Sequence, residues 1–394
     1  MTEQTCNLNL EKEVIEELEQ TFQSYFSFEQ NTDGYVIAIK LSGTSESAFN
    51  YSPILITEIP LSIASFTYLE VVDLSNNAIT ELPTFFKELK LLEVLILNNN
   101  PVSELPDYIF DLQSLKVLSL ENTEIKALPE VLANQSELTH LYLGGSNFIG
   151  FPIVLNSIAS NIKGLSLNDI ELLPPNINDY SSLNYFSAIL HNFKNLDRLQ
   201  GLKTLIIKNS KAVKFPFDFK TLPSLIELRF IDCGKLRELP KKLGMINHIE
   251  EMTLDFSGCT SLQGIPETFI NFNVTFLYLN GCSSIRFLPS SWDIGSIHAL
   301  NVNWTTPPKN IFKTGARKLW ITGSRFSSIR GIGEMSNLNF CVMTDGGLRT
   351  IPEEILNCKN LEFLNISGNK VKHIPEFLKD LPKLKSIEIG EMKL

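Results

Sequence analysis

The sequence is short of the features that announce most kinds of chemistry. Its six cysteines in 394 residues form no CxxC pair and no disulfide-dense pattern, a usage that fits a reducing compartment. There is no HExxH, no GxSxG and no GxxxxGK[ST], and Gly331-Ile332-Gly333 lacks the third glycine of a dinucleotide fingerprint. The histidines, His140, His191, His248, His298 and His373, are scattered, and none stands with Cys, Asp or Glu in a catalytic or ligand order. No catalytic residue, cofactor or metal is therefore expected, and the chain reads as a non-enzyme.

Membrane and nucleic-acid signals are missing as well. No stretch approaches the ~20 apolar residues that span a bilayer. The opening MTEQTCNLNLEKEVIEELEQ has neither the basic region nor the apolar core of a secretory signal. A cytoplasmic protein is expected on these grounds, with secretion as an effector left open. The triplets at Asn50, Asn134, Asn273, Asn303 and Asn365 would matter for glycosylation only after secretion. Net charge is −10, and Lys and Arg are spread along the chain, so the counterion-release term behind DNA or RNA binding has no evident source.

What is present is a repeat. LEVLILNNNPVSELPDYIFDLQS from Leu92 realigns with LEVVDLSNNAITELPTFFKELKL from Leu69, with LKVLSLENTEIKALPEVLANQSE from Leu115 and with LTHLYLGGSNFIGFPIVLNSIAS from Leu138, a period of 23. Further units start near Val36, Ile162, Leu183, Leu202, Leu225, Glu251, Val274, Ile297, Ala316, Leu338, Leu361 and Leu384, about sixteen in all. Within LxxLxL the last two leucines share one face of a short strand and the residue between them faces away. The Asn that follows can turn the chain and bond the neighbouring backbone. Leu-Pro then starts a helical or 3₁₀ return. One coil cannot enclose its own leucines, so the units must stack.

The pattern LxxLxLxxN(x)IxxLPxxLxxLxx resembles the leucine-rich repeat family. The LP form is similar to Ras-suppressor-type repeats, and LNGCSSIRFLPSSW and FSGCTSLQGIPETF are similar to repeats of plant intracellular immune receptors. The resemblance implies an α/β solenoid, a right-handed curved horseshoe with a parallel sheet on its concave face and short helical or 3₁₀ turns on its convex face. It leads to two expected regions, a capping helix region in 1–35 and a repeat domain in 36–394. In 8–30, Leu10, Val14, Leu18, Phe22 and Phe26 are spaced four apart, as in an amphipathic helix that lies over the first coil or, as the alternative, docks a partner. At the other end LKSIEIGEMKL holds one strand, which places Ile387 and Ile389 at an exposed edge. That end is expected to be covered by a further segment or by a partner, with a contact through this coil and the oligomeric state both left open. Units from Leu183 to Leu202 and from Ile297 to Ala316 are expected to be 19 residues long, with Ile170 and His191 replacing the turn Asn. Cys233, Cys259 and Cys282 fall at the turn position and read as a buried thiol ladder rather than a metal site. Cys341 reads as core, Cys358 as part of a convex turn and Cys6 as part of the N-terminal tail.

Function is expected on the outward strand positions. There Arg229, Asp255, Phe276, Tyr278, Asn301, Trp320, Phe340 and Phe363 form the candidate binding patch, of the residue types that dominate hot spots. Two readings stand side by side: a patch for a protein partner, or aromatics that stack on one another to hold the sheet. Under the first, truncating Tyr278 and Trp320 should leave stability nearly unchanged and abolish binding. The function expected is a non-catalytic protein-interaction scaffold. The alternatives are a bacterial effector or sensor that recognises a host or foreign protein, and an adaptor for a separate enzyme.

Overall fold

The structure, a computed structural model, describes residues 3–43, 55–214, 222–240 and 248–390, with side chains for all of these except 3–6, 248 and 249. The Asn50 triplet and the side chains of Cys6 and His248 lie outside the described residues. The chain divides into two compact units, 1–188 and 189–394.

The first unit opens with helix α1 (Glu3–Phe22) and the antiparallel pair β1 (Phe26–Gln30) and β2 (Val36–Leu41). The helix stops at Phe22, and Phe26 begins a strand, so the four-residue spacing over 8–30 does not correspond to one helix. Its buried face is the expected one only in part: Val14 and Leu18 are covered, but Leu10 is not. Leu10 is 47% exposed, whereas Glu11, Val14, Ile15 and Leu18 are buried, because the helix packs against the 3₁₀ turn Leu61–Ser65 and Glu11 accepts a hydrogen bond from Val36 N at 2.9 Å.

From β2 the strands pair in parallel: β3 (Val71–Asp73), β4 (Val94–Ile96), β5 (Val117–Ser119), β6 (His140–Tyr142) and β7 (Gly164–Ile170). The division between the units falls within β8 (Tyr185–Leu190). Register follows the repeat, Val72 pairing with Leu95, Leu95 with Leu118 and Leu118 with Leu141. These residues and the next leucines, Leu97, Leu120 and Leu143, are fully buried, each worth about 1.5–3 kcal/mol in removed apolar surface.

The turn after each strand is built from the side chains the repeat supplies. Asn76, Asn99 and Asn122 take left-handed φ values of 60°, 57° and 56°, a conformation Asn tolerates better than most residues. The next residue bonds across coils. Asn100 Nδ2 donates to Leu74 O at 2.9 Å and to Leu97 O at 3.0 Å, and Asn77 Nδ2 donates to Leu41 O at 2.8 Å. The returns are single 3₁₀ turns. Thr84–Glu88, Asp107–Asp111, Glu130–Asn134, Glu353–Asn357 and Glu376–Asp380 each follow a proline that already holds helix-compatible φ.

The second unit repeats the scheme in β9 (Thr204–Lys208), β10 (Glu227–Ile231), β11 (His248–Asp255), β12 (Phe272–Tyr278), β13 (Ile294–Ala299), β14 (Lys318–Thr322), β15 (Phe340–Thr344), β16 (Phe363–Asn365) and β17 (Ser386–Glu388). Each is parallel to the next. Two expected unit starts move. At β11 the register shifts between Met252 and Thr253, so buried Met252 fills the first apolar position and Glu251 is exposed. At β13 Leu277 pairs with Ile297 and Ile297 with Leu319. The coil therefore starts at Ile294, which is buried, and the shortened coil precedes β13 rather than running from Ile297 to Ala316. In the coil of β17 Leu384, Ile387 and Ile389 are half-buried. No helix of the described residues is long and apolar enough to cross a membrane.

Candidate partner-binding face

The outward sheet face of the second unit carries two adjacent columns of side chains. One runs Thr253, Phe276, Ser296, Lys318, Phe340, Phe363 and Ser386. The other runs Arg229, Asp255, Tyr278, His298, Trp320, Val342, Asn365 and Glu388. Because strands in a sheet lie about 4.8 Å apart, aromatic rings on neighbouring strands at one level meet face to face.

They do so here from Tyr278 onward, and Phe276, two residues before Tyr278 on β12, joins the ladder from the first column. Phe276 and Tyr278 have ring centroids 6.1 Å apart, Tyr278 and His298 4.8 Å, and His298 and Trp320 4.4 Å. At Trp320 the stack steps diagonally into the other column, 4.8 Å to Phe340, and ends with Phe363 a further 4.4 Å on. Five of the eight expected site residues, Phe276, Tyr278, Trp320, Phe340 and Phe363, thus belong to one ladder. All keep an edge in solvent, Phe276 the most at 41%.

The ladder needs a member that the expected site omitted. His298 fills the gap between Tyr278 and Trp320, and Asn301 does not lie in the column. Asn301 instead has φ 56° in the turn after β13, the place held by Gly281 and Gly323 in the neighbouring coils, and its N–H donates to Thr322 Oγ1 at 2.9 Å. The signal was in the sequence: Ile294, Ile297, Ala299 and Val302 keep the LxxLxLxxN spacing. Ala at a leucine position and Val at the Asn position disguise it. Ser296 Oγ shares a hydrogen bond with His298 Nε2 at 2.7 Å. Burial, and secondarily the Lys318 ammonium, hold the imidazole below its ordinary pKa, so the ring in the stack favours the neutral form.

Arg229 and Asp255 occupy the same face but are engaged locally. The Arg229 guanidinium is paired with the Glu227 carboxylate on its own strand and lies 3.9 Å from Asp255 Oδ2. Asp255 Oδ1 accepts from Ser257 N at 2.9 Å. Lys318, by contrast, is exposed beside Phe340 and has no ion pair among the described residues.

The thiols lie inside. Cys233, Cys259 and Cys282 are fully buried and donate to the carbonyls of Ile207, Phe230 and Phe256 in the preceding coil, at 3.5, 3.2 and 2.9 Å. They replace the Asn amide of the first unit as turn donors. Burial pushes the Cys282 thiol up to about 12, which leaves it a poor nucleophile. Cys341 is core, and Cys358, also buried, donates to Ile332 O at 3.3 Å.

Family models described as leucine-rich repeats match residues 56–110, 90–148 and 360–381. The chain is a leucine-rich repeat protein. Among curated relatives it is similar to TMV resistance protein N of Nicotiana glutinosa, 25% identical over 233 residues, covering 55% of this chain and 19% of that protein. It is also similar to the disease resistance-like protein DSC1 of Arabidopsis thaliana, 24% identical over 195 residues, covering 50% of this chain and 15% of that protein. This leucine-rich repeat chain thus spans under a fifth of the length of these relatives. Among solved structures, a leucine-rich repeat protein of Leptospira interrogans shares the fold with a TM-score of 0.55 and 24% identity, covering 85% of this chain and 81% of that one. The ectodomain of the Arabidopsis receptor kinase HAESA, solved with a peptide hormone ligand, shares it with a TM-score of 0.52 and 15% identity, covering 99% and 78%.

Proposed function

We propose that this leucine-rich repeat protein is a non-catalytic recognition module that binds a partner protein across the ladder from Phe276 to Phe363, with the exposed Lys318 beside it. The observation that carries the reading is the continuous stack of half-exposed rings over five strands. Each ring is held by its neighbours before any partner arrives, so little rotamer entropy remains to be lost on contact. A stacked ladder also turns ring edges, which carry positive potential, toward solvent. Together with Lys318 they favour carbonyl and carboxylate groups on the partner. Stacking and binding are then one arrangement seen from two sides.

The test uses positions whose loss does not open the stack. Phe276→Ser removes the exposed end of the ladder, and Lys318→Ser removes the cation. A partner captured from the source cell by the wild-type chain and then purified should bind these variants about tenfold more weakly, the equivalent of 1.4 kcal/mol. Glu353→Ser, on an outer turn, should bind as wild type. Equal affinity for all four proteins would remove this face from consideration.

A further inference from the structure

A second surface of the chain carries an unbalanced charge. Between the strand-end turn and the outer 3₁₀ turn each coil has a short flank, and in the coils of β15 and β16 these flanks are Arg349-Thr350-Ile351 and Lys370-Val371-Lys372-His373. They run side by side, Lys370 N donating to Leu348 O at 2.8 Å, and they enclose a cavity of about 520 Å³. The volume falls in the range of ligand pockets, roughly 300–1,000 Å³.

The cavity has an apolar floor and a cationic rim. Ile351, 5% exposed, and Pro375 form the floor; Arg349, Lys370, Lys372 and His373 stand around it, and no carboxylate lines it. Among the described residues none of Arg349, Lys370 and Lys372 is in an ion pair. The geometry recurs elsewhere in the second unit but the charge does not. A cavity of about 740 Å³ on the flanks after β9, β10, β11 and β12 is lined by Lys214 and Arg237 but also by Glu238 and Glu267, and Lys214 is paired with Glu238 at 3.2 Å. In a chain of net charge −10, an uncompensated group of cations around an apolar floor is a departure from the surface at large. Gathering like charges is unfavourable unless an anion neutralises them.

We infer that this flank cavity binds an acidic segment of a protein, with one apolar side chain seated on Ile351 and Pro375 and carboxylates on either side of it held by Arg349, Lys370 and Lys372. The Arg349 guanidinium can take a carboxylate through two parallel N–H donors, and the lysines act as point charges. The site lies on a different face from the aromatic ladder and does not depend on it.

The experiment is a fluorescence anisotropy titration of the full chain with a labelled peptide of the pattern Glu-Glu-Leu-Glu-Glu. Binding should weaken about tenfold when the glutamates are changed to Gln, when Leu is changed to Ala, and in the variant Arg349→Ser/Lys372→Ser. It should weaken further with added salt. Lys372→Glu should restore binding to a peptide carrying Lys in place of one Glu, a rescue that a misfolded protein would not give. Phe276→Ser should bind the peptide as wild type, which separates this site from the sheet-face reading. Unchanged affinity in Arg349→Ser/Lys372→Ser, or loss of binding in Phe276→Ser, overturns the assignment. So does tight binding of pyrophosphate together with indifference to the Leu→Ala change, which would mark a site for phosphate rather than for an acidic segment.

Discussion

The His298 imidazole lies face to face with the Trp320 indole, ring centroids 4.4 Å apart and planes 11° from parallel. The contact exists because Ile297 is in register with Leu319, which puts the residue after each on the same outward level. It joins the rings of β12 to those of β14, β15 and β16, and without His298 the ladder would be a separate pair, Phe276 and Tyr278, and a separate trio, Trp320, Phe340 and Phe363.

Trp320 therefore contributes to stability as well as to surface chemistry. It has His298 on one side and Phe340 at 4.8 Å on the other, and each such pair is worth about 0.5–1.5 kcal/mol. Trp320→Ala should lower the stability of the second unit by about 1–3 kcal/mol, which revises the expectation that the ladder could be truncated at no cost. Asn301→Ala, in the turn, should leave the ladder intact. Urea unfolding followed by far-UV circular dichroism checks this, and an unchanged midpoint for Trp320→Ala would mean that the rings do not stack in solution.

His298 should make the ladder sensitive to acid. Its folded-state pKa is depressed, by burial first and by Lys318 second, so the unfolded chain binds the proton more readily. The stabilisation is complete above the ordinary histidine pKa of about 6.5. It is lost as pH falls from there through the folded-state value. Lys318→Ser should raise the titration midpoint of His298 followed by NMR of the imidazole C–H signals; a midpoint that stays put would show that Lys318 does not act on the ring.

Glu11 should give the first unit the opposite dependence. Its Oε2 accepts from Val36 N, whereas Oε1 is buried with no partner among the described residues. Burial raises its pKa more than the backbone bond lowers it. A raised carboxyl contributes stability that is fully present below the unfolded value, about 4.3, and is lost as pH rises through the folded value. Thermal unfolding across that window should show the slope in the wild-type chain and its loss in Glu11→Gln. A slope that survives the substitution would assign the effect to another group.

The inward half of the molecule was readable from residue order because each coil repeats a local rule. Leu95 and Leu97 lie two apart and therefore share a face, Pro106 starts a 3₁₀ return, and Asn100 or Cys282 supplies the donor that closes the turn. Where the rule is weakly written, residue order misleads. Ala299 and Val302 stand where Leu and Asn are usual, so spacing alone starts the coil of β13 three residues late, at Ile297, and puts Asn301 in the outward column in place of His298. At the N-terminus the four-residue spacing ran through Phe26, but pairing of Phe26 with Leu41 across the hairpin outweighs helix continuation there.

Residue order alone determined that this chain coils, which side chains are dry and which turns close each coil, since those outcomes depend on neighbours within about two dozen residues. The tertiary structure decided which outward side chains meet. Tyr278 touches His298 because the intervening coil is short, and Arg349 stands by Lys370 and Lys372 because their flanks run side by side. Cations that look scattered along the chain thus become one rim, because register between coils is set by packing across them rather than by any local signal.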